Sequence, residues 1–146
     1  ELKDGQDVVD ADGTVWKNET LATPPPEPRK YVYCADTRVL DGQIPRLIGA
    51  NLLYHEATFT NDMQARAETT FHTTAEEAGE FAARHQVRQL LIGHFSSRYF
   101  DLVPFLKEAQ QTFSETILAV EGHTFDVHPV HPLKLKEQNA EFSVTQ

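Results

Sequence analysis

Four short stretches carry the side chains that could do chemistry: Asp36-Thr37, His55-Glu56, His72 and His94. Carboxylates and imidazoles are the oxygen and nitrogen donors of zinc sites, and imidazoles also exchange protons near neutral pH. The single cysteine, Cys34, excludes an internal disulfide and any cysteine-based zinc site, which leaves His, Asp and Glu as the available metal ligands. Each group also has a plainer reading. Asp36 before a threonine suits an Asx turn, and His94 after an apolar run suits a hydrogen-bonded structural histidine. His55-Glu56 could brace loops, and His72 could be a helix-entry residue. His85, His123, His128 and His131 have no partner pattern and are expected to be solvated or structural.

Three strand-length apolar runs must position these groups: Tyr31 to Ala35, Asn51 to Tyr54 and Gln89 to Gly93. Asp36, His55-Glu56 and His94 stand at their carboxyl ends, the edge at which open α/β sheets gather ligands. Amphipathic stretches between the runs predict helices, so the chain reads as α/β. Thr73 and Thr74, each three residues before a glutamate (Glu76 and Glu77), are overlapping capping-box candidates. The helix they start aligns Ala75, Ala78, Phe81 and Ala82 on its core face. Just before it, His72 lies where orphan amides favour an anion such as phosphate. A second helix is expected over Leu102 to Phe113, with Leu102, Leu106, Ala109 and Phe113 in line and Pro104 in the tolerated first turn. Ile117 to Val120 and Phe125 to Val127 are expected to close the sheet. Residues 1–30 read as a hairpin around Asp12-Gly13 plus a Pro-rich connector over 23–28, residues 31–128 as the main domain, and residues 129–146 as a peripheral tail.

The chain has 146 residues and a net charge of −9, so attraction to polyanions cannot come from net charge and any nucleic-acid contact must be local. No apolar run approaches the roughly 20 residues of a membrane span, and the first residues lack a signal peptide's pattern, so a cytoplasmic setting is expected.

Four ordered strings resemble the carboxyl-terminal half of ribonuclease Z, the tRNA 3′-processing endonuclease: Tyr33-Cys34-Ala35-Asp36-Thr37-Arg38, His55-Glu56-Ala57-Thr58-Phe59, His72-Thr73-Thr74-Ala75 and Gly93-His94-Phe95-Ser96-Ser97-Arg98-Tyr99. The opening Glu1-Leu2-Lys3-Asp4-Gly5 also looks like the end of a segment this family carries in mid-chain. The resemblance implies half of a metallo-β-lactamase αββα sandwich, a mixed sheet with helices on one face. It implies a two-zinc site in the complete enzyme, with Asp36 as the bridging carboxylate and His94 as an imidazole ligand. It further implies that His72 approaches the scissile phosphate, stabilising its charge or protonating the departing 3′ oxygen. Glu56 with His55 would support that proton transfer, and Arg98 would clamp the phosphate.

The family's His-x-His-x-Asp-His string is absent, as is its basic tRNA-gripping arm. Two expected ligands fall short of the three or four that zinc normally takes, so activity is expected only with the missing amino-terminal half, and precursor tRNA is the expected substrate of the complete enzyme. The chain thus reads as a fragment or a separately made half. Half a sandwich leaves an apolar face open, so a homodimer is expected. The competing class is a non-catalytic interaction domain with a vestigial metal site.

Overall fold

The computed structural model describes residues 2–129 except 24, 25, 27 and 41. An antiparallel hairpin pairs β1 (Val8–Val9) with β2 (Val15–Trp16) and is followed by one helical turn, α1 (Asn18–Leu21). The expected Asp12-Gly13 turn joins the two strands. The main sheet comprises β3 (Tyr31–Cys34), β4 (Leu52–Glu56), β5 (Leu90–Gly93) and β6 (Thr116–Leu118), hydrogen-bonded in the order of the chain. All three pairings are parallel. Antiparallel pairing, which the expected mixed sheet would place in the main layer, occurs among the described strands only in the small hairpin. The crossovers explain this. Helices α2 (Gln64–Thr70) and α3 (Ala75–Arg84) carry the chain from β4 back to the start of β5, and α4 (Val103–Thr112) does the same between β5 and β6.

Both long helices cover the same face of the sheet, where Leu53, Leu90 and Ile92 meet Ala75, Ala78, Phe81, Ala82, Phe105 and Ala109. The α3–α4 seam is close because α3 places Gly79 there. A Cβ on that glycine would lie 2.6 Å from the carbonyl oxygen of Ala109. The opposite face carries the cross-strand row Tyr33, Tyr54, Leu91 and Ile117. Tyr33 stacks on Tyr54 with centroids 4.6 Å apart, yet Tyr33 and Tyr31 remain exposed on the β3 edge strand.

Of the two capping-box candidates, Thr74 with Glu77 starts α3. The Thr74 hydroxyl accepts from the Glu77 amide, and Glu77 accepts from the Thr74 amide at 2.8 Å. Of the expected α4 line, Ala109 is buried and Leu102 and Phe113 pack partly buried against the core, while the other fully buried residue is Phe105 rather than Leu106. Phe105 turns inward because Phe95 and Tyr99 pack edge-on against its ring at 4.8 and 4.7 Å. The closing strand is Thr116–Leu118. Phe125 to Val127 form no strand, and that segment is tied by Arg29 donating to the Val127 carbonyl and Asn51 donating to that of His128. Of the expected connector, Pro24, Pro25 and Glu27 lie outside the described residues, as does the expected tail beyond Pro129, including His131.

Candidate metal and proton-transfer centre

The β3, β4 and β5 ends and the loop entering α3 converge on one cleft at the sheet's carboxyl edge. Asp36 follows β3, Glu56 ends β4, His72 precedes α3 and His94 follows β5. One ligand atom each from Asp36, His72 and His94 lies within 4.8 Å of the others. Asp36 Oδ1 is 2.8 Å from His94 Nε2, and both side chains are open to solvent. The backbone is strained at this point. Asp36 (φ 46°), Phe71 (φ 60°) and His94 (φ 60°) are three of the four non-glycine residues with left-handed φ among those described. Such conformations cost of order 1–3 kcal/mol each and persist where surrounding structure enforces them.

The enforcing structure is a buried knot around Glu56, which is fully buried. Its Oε1 accepts from the Thr37 amide at 2.9 Å and from His72 Nδ1 at 2.7 Å. Its Oε2 accepts from the Thr58 amide at 3.1 Å, the Thr58 hydroxyl at 2.7 Å and the Thr73 amide at 3.3 Å. Thr73 adds a bond from its hydroxyl to the Thr37 carbonyl at 2.8 Å, closing the β3 end onto the α3 entry. One carboxylate therefore fixes the loops that present Asp36 and His72, and an anion with five donors is well compensated for burial.

His55, expected beside Glu56 in the catalytic group, is not brought to the cleft. Consecutive strand residues face opposite sides of a sheet, so His55 points into the core. There its ring meets Phe81 edge-on at 5.2 Å, and its Nδ1 is 2.8 Å from the Glu56 carbonyl. Burial pushes its pKa below the usual imidazole range, with the hydrogen bond to Glu56 opposing. Arg98 is exposed in the turn after His94. Thr58 went unnoticed in the sequence although its hydroxyl touches Glu56 and, at 2.9 Å, His94 Nδ1. A hydroxyl two residues after a strand-end glutamate was the available signal. Beside His72 opens a cleft of about 490 Å³ lined by Arg38, Val39, Leu40, Glu68 and Glu77, with the Arg38 guanidinium 5.7 Å from the centroid of the exposed Phe71 ring.

The donor set fits a zinc-type cation. A carboxylate oxygen can only accept, and an imidazole nitrogen facing it at 2.8 Å is satisfied by a proton or a cation between them. His94 and Asp36 meet that test, each with a free approach from solvent. His72 belongs to the same group in space, but its Nδ1 is already held by Glu56.

The chain is 46% identical over 131 residues to ribonuclease Z of Phocaeicola vulgatus, covering 90% of this chain and 42% of the relative. It is 46% identical over 127 residues to ribonuclease Z of Parabacteroides distasonis, covering 87% and 42%. Among solved structures, the metallo-β-lactamase fold protein YhfI of Bacillus subtilis superposes with a TM-score of 0.59 at 29% identity, covering 65% of this chain and 39% of that one. No family model matches. The chain thus spans less than half the length of the curated relatives it matches.

Proposed function

We propose, from the premise that this chain is homologous to the carboxyl-terminal half of ribonuclease Z and has a metallo-β-lactamase fold, that it is the half of a zinc-dependent endoribonuclease that removes 3′ trailers from precursor tRNA. The observation that carries this reading is the convergence of Asp36, His72 and His94 to within 4.8 Å. Asp36 and His94 would hold the metal in the complete enzyme. When bound, zinc supplies Lewis acidity toward phosphate oxygens and makes water nucleophilic at neutral pH.

The chain's own residues do the rest. Glu56 fixes the His72 ring through Nδ1, which leaves Nε2 free to hold a proton for the departing 3′ oxygen or to steady the phosphate charge. Arg98, exposed in the turn four residues after His94, would offer a guanidinium to the phosphate. His55 supports Glu56 from the core side of β4. With two ligands here, Asp36 and His94, against the three or four that zinc takes, the remaining ligands come from the part of the enzyme outside this chain. That part packs on the sheet face carrying Tyr33 and Tyr54. In its absence two copies of this chain pair through the same face, a state that sedimentation reports directly, and a monomer at micromolar concentration refutes it. A cytoplasmic setting suits the substrate, and among the described residues no helix is long and apolar enough to cross a membrane.

The test is to add the amino-terminal half and zinc to this chain and follow trailer cleavage. Cleavage should require both additions and should fall at least a hundredfold in Asp36→Ala, in line with the loss of a charge-stabilising group. Equal cleavage by Asp36→Ala removes Asp36 from the reaction, and no cleavage under any condition favours a non-catalytic interaction domain.

A further inference from the structure

We infer that Thr58 is a positioning residue: its hydroxyl accepts from the N–H at His94 Nδ1 and so fixes Nε2 as the nitrogen turned toward Asp36 and toward any cation held between them. The inference rests on donor and acceptor accounting around one oxygen. Thr58 Oγ1 is 2.7 Å from Glu56 Oε2, 2.9 Å from His94 Nδ1 and 3.3 Å from His72 Nδ1. A hydroxyl has a single hydrogen to give and two lone pairs with which to accept.

Glu56 already accepts three backbone N–H groups and His72, so it faces Thr58 as an acceptor. Two oxygens 2.7 Å apart need a hydrogen between them, and only Thr58 can supply it. The hydroxyl hydrogen is thereby committed to Glu56. What remains at Oγ1 is acceptor capacity, so His94 Nδ1 must arrive carrying its own hydrogen. The other ring nitrogen, Nε2, is the one 2.8 Å from Asp36 Oδ1.

The same accounting explains why one small side chain sits among three polar groups. Glu56 receives a proton from His72 directly and one from Thr58, and Thr58 receives one from His94. Both imidazoles are therefore oriented by the same buried carboxylate, His72 in contact with it and His94 through one intervening hydroxyl. Outer hydrogen bonds of this kind set the tautomer and ring orientation of a metal-binding histidine, and their loss typically costs 10–100-fold in metal affinity.

The function assigned to this hold rests on the metal reading proposed above, but the proton position does not. The experiment uses the whole 146-residue chain labelled with 15N-histidine, free of metal at neutral pH, with the protonation class of each imidazole nitrogen read by long-range proton–nitrogen spectra. His94 Nδ1 should carry a proton in the unaltered chain and in Thr58→Ser. In Thr58→Val Nδ1 has no acceptor and should lose its proton, leaving the ring protonated only on Nε2, where Asp36 accepts. His85 reports the integrity of the fold, because its two nitrogens face the Phe81 carbonyl at 2.8 Å and the Ile44 amide at 2.9 Å. An unprotonated Nδ1 on His94 in the unaltered chain overturns the inference whether or not the valine variant folds, as does a valine variant whose His94 signals match the unaltered chain. A parallel zinc titration against a chromogenic chelator should show affinity at least tenfold weaker in Thr58→Val and restored in Thr58→Ser. Absence of zinc binding by every form, with the amino-terminal half added to supply the remaining ligands, sinks the metal reading, while the spectra still decide the role of Thr58.

Discussion

Two regions of the molecule hold polar groups at similar places in the fold, and they are finished differently. At the carboxyl end of α3, His85 is fully buried, and both of its nitrogens are used up by backbone: Nδ1 donates to Phe81, and Nε2 accepts from Ile44, 41 residues earlier. At the carboxyl edge of the sheet, His72 and His94 each commit only Nδ1 to the Glu56–Thr58 knot, and both side chains keep access to solvent. The first arrangement stitches the 38–49 loop to a helix and has no valence left for a guest. The second is half-finished by the protein, and the unfinished half faces a cleft. Residue type does not separate the two; burial and the use the backbone makes of each ring nitrogen do.

The comparison breaks most visibly at Glu56. Glu56→Ala leaves two buried amides and a half-buried one, a hydroxyl and an imidazole without their acceptor and should lower stability by about 3–5 kcal/mol, measured by urea denaturation. A loss below about 1 kcal/mol would show that the knot is not what holds the edge together. His85→Ala should cost about 2–3 kcal/mol while zinc affinity stays within twofold of the unaltered chain, since the stitched region takes no part in the cleft.

His55 supplies an intermediate case through pH. Burial lowers its pKa from 6.5, so below that value the unfolded chain binds more protons than the folded one. Its contribution is complete above about pH 6.5 and is lost as pH falls through the lowered value. The urea midpoint should fall between neutral and mildly acidic pH, and His55→Gln should flatten that fall.

The smallest effect is expected at His94, and with the opposite sign. Glycine relaxes its left-handed backbone, so His94→Gly should leave stability unchanged or raise it by up to about 1 kcal/mol while zinc binding is lost. A large destabilisation would place His94 with His85 among the structural histidines.

The positions of three main strands and the groups at their ends were legible because parallel strands under helical crossovers leave two plain marks, short apolar runs and polar residues where the runs stop. The competition between Thr73 and Thr74 was not resolvable from spacing, because both satisfy the capping pattern. It was decided by Glu56, which recruits the Thr73 amide from 17 residues away. Helix α2 escaped notice because only Ala67 of its seven residues is buried, so it carries no apolar stripe, and it ends on Phe71 in place of the glycine that usually marks a left-handed cap. Phe105 was missed in favour of Leu106 because the inward direction of α4 is set by Phe95 and Tyr99, which reach it only after the chain has folded. His55 and Glu56 looked like a unit because they are neighbours in sequence, and strand alternation sends neighbours to opposite sides.

Spatial order and chain order coincide across the four parallel strands, and every group in the Glu56 knot and at the cleft lies between Asp36 and His94. The constellation can therefore be cut out, transplanted or inherited as one contiguous cassette. A recombination event or a gene split falling outside that interval moves the whole cassette intact, whereas one falling inside it separates the carboxylate from its histidines.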